Sequence, residues 1–109
     1  MTAPNPRVAP ELIRQHAPQL ADFTDDVLFA DVWQRPGLTP RERSLVTVAA
    51  LTALGRDTQL AGHIRRALDN GLSPEELAEA FTHLAFYAGW PAGMSAVTVL
   101  ASVTSQNQE

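Results

Sequence analysis

The chain has 109 residues, 45% of them hydrophobic, with a formal charge of −4 and neither cysteine nor lysine. Without cysteine there are no disulfides, thiolate nucleophiles, redox dithiols or cysteine-ligated metals, and without lysine there is no Schiff base. Arginines scattered along an acidic chain are not the footprint of a nucleic-acid binder, and none is expected as partner.

In chain order, Met1-Thr-Ala-Pro-Asn-Pro-Arg7 lacks the charged and apolar regions of a signal peptide, so a cytoplasmic location is expected. No stretch is long and apolar enough to span a membrane, and no membrane partner is expected. Residues 1–9 read as a flexible, proline-rich arm, and 10–105 as a single domain. Residues 10–32 read as helical, broken or restarted at Pro18, and Trp33-Gln-Arg-Pro-Gly37 as a loop.

Thr39-Pro-Arg-Glu42 is a capping box with proline at the first helical position, opening a helix that Gly55 stops after Leu54. Asp57 reads as the N-cap of the next helix, which ends near Asn70-Gly71. Ser73-Pro-Glu-Glu76 is a second capping box, and its helix runs to about Ala88, before Gly89. Pro91 starts a last helix reaching about Val103. No segment alternates with period two over strand length, so the expected fold is all-α, with about five helices.

Two of these helices say more than the rest. Ser44 to Leu54 reads SLVTVAALTAL, apolar on every side, and such a helix is expected to be buried all round, by a central position or by a partner chain. In the helix from Pro74, the residues Leu77, Phe81, Leu84, Ala85 and Ala88 share a core stripe. Glu79, His83 and Tyr87 recur every four residues on another face, with Phe86 beside them. That second face is semi-polar yet rich in residues that favour burial. A domain this small buries only about 60–65% of the surface its unfolded chain exposes, so two buried faces on one helix suggest oligomerisation.

The runs Asp31-Val-Trp-Gln-Arg-Pro-Gly-Leu38, Arg43-Ser-Leu-Val-Thr47 and Ala53-Leu-Gly-Arg56 resemble the first half of the carboxymuconolactone decarboxylase family. Leu60-x-x-His63, Asn70-Gly-Leu72, Glu76-Leu-x-Glu79 and His83-Leu-Ala-Phe-Tyr-Ala-Gly-Trp-Pro-Ala92 resemble the second half. The resemblance covers roughly residues 20–100. It implies the all-α fold shared with alkylhydroperoxidase D-like proteins, a central helical hairpin, and homo-oligomers, commonly trimers or hexamers, with sites near subunit interfaces. It departs from the pattern at Asp31, where a glutamate is usual before Val-Trp, and in a short arm before residue 20. The Cys-x-x-Cys-x-x-x-His of the peroxidase relatives falls on Arg56, Gln59 and His63, so thiol peroxidase chemistry is not expected.

The activity the resemblance implies is decarboxylation of 4-carboxymuconolactone to the β-ketoadipate enol-lactone, in aromatic-compound breakdown. A same-fold enzyme acting on another small carboxylated substrate, or a non-catalytic oligomeric binding protein, is the alternative. In the lactone, loss of CO2 leaves a dienolate whose charge the lactone carbonyl takes up. The substrate is its own electron sink, so no cofactor is called for. The protein must hold a dianion, stabilise an oxyanion and deliver a proton to carbon.

The candidates follow from those needs. His83 is either an oxyanion donor or proton carrier oriented by Glu79, or a buried histidine satisfied by that glutamate. His63 flanks the stripe Leu60, Ile64 and Ala67, as a catalytic group or an amphipathic filler. Glu79 either orients a histidine or pairs with an arginine. Arg43 and Arg35 could anchor a substrate carboxylate or make structural ion pairs, Trp33 and Trp90 could wall a pocket though large aromatics more often pack, and Tyr87 is placed towards the site. Glu79, His83 and His63 also form a thinkable metal set, but no His-Glu-x-x-His motif accompanies them and no metal is expected.

Overall fold

The structure, a computed structural model, describes residues 7–107, with side chains as far as 105. The chain forms two compact units, Met1–Leu38 and Thr39–Glu109. Every regular element among the described residues is helical.

In the first unit, α1 (Glu11–His16) and α2 (Pro18–Asp22) are separated by Ala17 at φ −144°. Pro18 has no N–H to donate and crowds the residue before it out of the α region, which is why the break falls there. Beyond α2 the chain continues as a π-helical segment, Phe23–Phe29, and then a short 3₁₀ turn, Val32–Gln34. The π-helical stretch sits inside the region that periodicity reads simply as helical.

Most of the expected arm, residues 1–6, lies outside the described residues. Its remainder is tied down. The Asp25 carboxylate, 4% exposed, accepts from the backbone N–H of Val8 (2.7 Å) and Ala9 (2.9 Å) and from the Arg14 guanidinium. The backbone donor at Ala9, then that at Val8 and the Arg14 charge, hold the Asp25 carboxyl below the usual carboxylate range against the opposing effect of burial.

The second unit is built from α3 (Pro40–Leu54), α4 (Asp57–Asp69), α5 (Pro74–Ala88) and α6 (Trp90–Asn107). Both capping boxes are present: Thr39 and Glu42 cap α3 reciprocally, as Ser73 and Glu76 cap α5. Gly55 ends α3 at φ 71°, a left-handed conformation that side chains with a Cβ disfavour. The N-cap of α4 is Arg56, not Asp57. Asp57 is the first helical residue, where its charge faces the positive end of the helix dipole instead of bonding an amide. The last helix begins one residue before Pro91 and runs past Val103 to Asn107.

α5 packs chiefly on α6 and α3 on α4, with α4 also against α6 and α3 against α5. The shared core is Val48 from α3, Leu60, Ile64 and Ala67 from α4, Leu77 and Phe81 from α5, and Ala96, Leu100 and Val103 from α6. The α5 stripe is therefore as its spacing predicts, with Leu84, Ala85 and Ala88 half-buried beside it. Gly93 sets the approach of α6 to α5: a Cβ there would lie 2.7 Å from Ala85 Cβ and 3.1 Å from the Phe81 carbonyl oxygen. An ion pair between Arg41 and Glu76 joins the first turns of α3 and α5.

α3 is not buried all round. Ser44, Val48 and Thr52 are buried, but Val46 and Leu54 are 59% and 67% exposed. Three partner helices cover only one side of α3, and the opposite face, without a charge from Ser44 to Leu54, is open within the chain.

Candidate functional site

The candidate residues of the second unit come from three helices. Arg43 is in the opening turns of α3, His63 in the middle of α4, and Glu79, His83 and Tyr87 follow one another up α5. Trp33 and Arg35 belong to the first unit.

The α5 face is the best defined. Helical spacing puts Glu79, His83 and Tyr87 on the side away from Leu77 and Phe81, and all three are exposed within the chain. Among the described residues the second face of α5 is thus exposed, not buried. The imidazole of His83 lies against the Tyr87 ring, with centroids 5.0 Å apart and planes inclined by 33°. The expected partner, Glu79, makes no hydrogen bond or ion pair with His83 among the described residues. Phe86, between them in sequence, turns to Trp90 instead, edge to face at 5.5 Å. That second pair spans the α5–α6 junction at Gly89 and is not predicted by the periodicity of either helix alone.

His63 is in a different setting. It is half-buried beside Leu60, Ile64 and Ala67, with its Nδ1 enclosed by protein. Burial, and secondarily the Arg66 charge, push its pKa below the ordinary histidine value of 6.5. At neutral pH it is therefore an uncharged imidazole, able to accept a proton or to donate one neutral N–H bond.

Arg43 is half-buried, with its Nε enclosed, and its backbone carbonyl accepts from Thr47 Oγ1 at 2.7 Å. Arg35 is paired with Asp31, Nη2 to Oδ2 at 3.0 Å and Nε to Oδ1 at 3.3 Å. That bond and charge raise the Arg35 pKa and lower that of Asp31. Trp33 stacks on Phe29 at 5.8 Å and 19°.

The structure therefore brings His83 and Tyr87 into contact. Glu79 shares their face without touching the imidazole, and Arg43 and His63 stand on other helices.

A concave feature that the motifs do not reveal lies on the other flank of α5. A groove of about 200 Å³ between α5 and α6 is lined by Thr82, Ala85, Trp90, Gly93, Met94 and Val97, among others. Its lining is apolar, and none of the candidate acids, bases or arginines lines it. The signal for it is Gly93: a small residue where two helices touch, flanked by large exposed ones at Trp90, Met94 and Val97.

Among the described residues no three His, Asp or Glu side chains form a group that could hold a metal ion. No helix among them is long and apolar enough to cross a membrane.

Comparison with known proteins places these residues in context. The family model for "Carboxymuconolactone decarboxylase family" matches residues 18–102, a span that contains every candidate named above. The chain is 42% identical to a 4-carboxymuconolactone decarboxylase of Acinetobacter baylyi over 82 residues, which are 75% of this chain and 61% of the relative. It is 40% identical to a nitrosuccinic acid decarboxylase of Metarhizium robertsii over 68 residues, 62% of this chain and 48% of the relative. A 15.0 kDa protein of Paracoccus denitrificans is 30% identical over 86 residues, 77% of this chain and 64% of the relative. The chain thus spans less than two thirds of the length of each of these relatives.

Proposed function

The chain belongs to the carboxymuconolactone decarboxylase family, and we propose that it is a cofactor-independent decarboxylase whose substrate is a small carboxylated lactone, 4-carboxymuconolactone first among candidates. The observation that carries this reading is the 42% identity to a decarboxylase of that substrate, within a family match that includes His63, Glu79, His83, Tyr87 and Arg43.

The chemistry asks little beyond what these side chains supply. The C–C bond to the carboxylate breaks, CO2 leaves, and the electron pair moves into the conjugated lactone as a dienolate. Arg43 offers a fork suited to a carboxylate. His63, a neutral imidazole in a half-buried setting, offers an N–H to the oxygen on which charge develops. His83 delivers the proton to carbon, giving the enol-lactone. Glu79 is the remaining charged group on the His83 face, and its role is to shape the field around that proton transfer. The working form is a homo-oligomer, trimer or hexamer, in the cytoplasm. Neither nucleic acid nor membrane is a partner.

One observation favours a second substrate. The relative named for nitrosuccinic acid is almost as similar as the one named for the lactone. Its substrate also carries a carboxylate beside an electron-accepting group. A different small acid of that kind is the alternative reading.

The test is turnover of 4-carboxymuconolactone, followed by CO2 release, for the wild type beside His83→Ala and His63→Ala. Loss of kcat in His83→Ala by roughly a hundredfold or more is expected for a lost proton donor, with a helical spectrum unchanged. Wild-type turnover of nitrosuccinic acid and not of the lactone would move the assignment to the second substrate. Turnover of neither would leave a non-catalytic binding role.

A further inference from the structure

We propose that Tyr87 is a positioning residue, whose ring holds the His83 imidazole in one orientation on the outer face of α5, so that it acts on the reaction through His83 and not by touching the substrate. The inference rests on the reading that His83 carries the proton.

The spacing of the two residues by one turn puts their side chains on the same helical ridge. There the rings lie 5.0 Å apart and are tilted 33° from parallel, within the separation at which aromatic rings attract. Among the described residues no hydrogen bond or ion pair to the imidazole competes with this contact. Glu79, one turn on the other side, makes no hydrogen bond or ion pair with it among the described residues. Phe86, the other large ring nearby, is already engaged edge to face with Trp90. α5 ends one residue beyond Tyr87, and past Gly89, at φ 108°, Trp90 meets Phe86.

A histidine side chain has several staggered rotamers, and a proton donor must face its carbon in one of them. A ring that selects that rotamer before substrate binds contributes to kcat and leaves binding largely alone. The phenol hydroxyl is not needed for this, because the contact is made by the ring.

The experiment compares Tyr87→Phe and Tyr87→Leu, each alone and in a His83→Ala background. Tyr87 is 80% exposed, so both variants are expected to fold. The first readout is the NMR signal of the His83 ring protons. A displacement caused by the neighbouring ring is expected in wild type and Tyr87→Phe, and absent in Tyr87→Leu. The second is kinetic. Tyr87→Leu is expected to lose about tenfold in kcat with KM little changed, Tyr87→Phe to restore it, and Tyr87→Leu to cost nothing further when His83 is already alanine.

Equal loss in Tyr87→Phe and Tyr87→Leu, or a loss carried by KM, would overturn the proposal in favour of direct contact between the hydroxyl and the substrate. Unchanged His83 signals in Tyr87→Leu would overturn it outright. If the wild type turns over no substrate, the functional reading fails, and the NMR comparison still decides whether Tyr87 holds the imidazole.

Discussion

His63 and His83 carry the same side chain in different surroundings. His63 is half-buried beside the stripe Leu60, Ile64 and Ala67, and burial and the Arg66 charge disfavour its protonated form in the folded state. The unfolded chain, in which histidine titrates near 6.5, then binds more protons than the folded one as the pH drops. The contribution of His63 to stability is therefore complete above that value and is lost as the pH falls below it. Thermal unfolding is expected to hold level from pH 8 to 7 and to decline from about pH 6.5 downward. In His63→Gln that part of the decline should vanish. What then remains is the lower-pH loss from Asp25, Asp31, Glu42 and Glu76, whose bonds and neighbouring charges depress their carboxyl groups. Identical melting profiles for the two proteins between pH 7 and 5 would remove the burial argument for His63. The sequence places His63 beside its apolar stripe, which is enough to foresee partial burial. It does not reveal Arg66 as a cause of the shift, because that depends on where side chains three residues apart point.

At the level of the elements, what was legible is what local chemistry decides. Two capping boxes, proline at the first position, and glycine at the stop bring the starts of α3 and α5 and the end of α3 to within a residue of their predicted places. The N-cap of α4 is Arg56, one residue before the aspartate that the sequence offers, because an aspartate at a helix start serves the dipole as readily as it caps an amide. The π-helical segment is not legible, since no residue type or spacing in it distinguishes a π register from an α one, and the backbone contacts that Asp25 makes with Val8 and Ala9 are distant in sequence. The order of candidates along α5 could be read from spacing, but the partner of His83 could not. A carboxylate one turn away is the electrostatic expectation, and the ring one turn the other way is the contact found.

Gly93 makes the same point quantitatively. As one glycine in an apolar run it marks a small residue and not how near the neighbouring helix lies, yet α5 and α6 meet there so closely that a methyl group has no room. The nearest atoms are the Ala85 Cβ and the Phe81 carbonyl, neither of which can swing aside. Alanine has the better helix propensity, which alone would stabilise by up to about 1 kcal/mol. Overpacking costs about 1–3 kcal/mol and is expected to win. Gly93→Ala should therefore lower the midpoint of chemical unfolding, while Gly62→Ala, in a helix with open space around its Cβ position, should raise it or leave it unchanged. A stabilised Gly93→Ala would mean that α6 slides on α5 at little cost.

Across the whole molecule, the apolar surface is unevenly placed. The outer face of α3 runs eleven residues from Ser44 to Leu54 without a charge, and Val46 and Leu54 stand open on it. On α5, Phe86 is 74% exposed beside His83 and Tyr87. Soluble monomers seldom leave so many large apolar side chains on so small a surface, and a chain of this length has little core to compensate. The two faces that the sequence marks for burial are the two that the chain itself leaves open, which is the pattern a homo-oligomer requires. Light scattering is expected to give a trimer or a hexamer. Val46→Glu would place a carboxylate in the centre of the α3 face, where desolvation costs several kcal/mol per charge and weakens association on the order of a hundredfold or more. Its helical spectrum should be retained, because within the chain Val46 contributes nothing to the core. If oligomers also complete the catalytic face, Val46→Glu should lose activity together with assembly, and both should return as the protein is concentrated. A wild type that scatters as a monomer at all concentrations would refute the oligomer and require that the α3 and α5 faces stay wet while His83 works in open solvent.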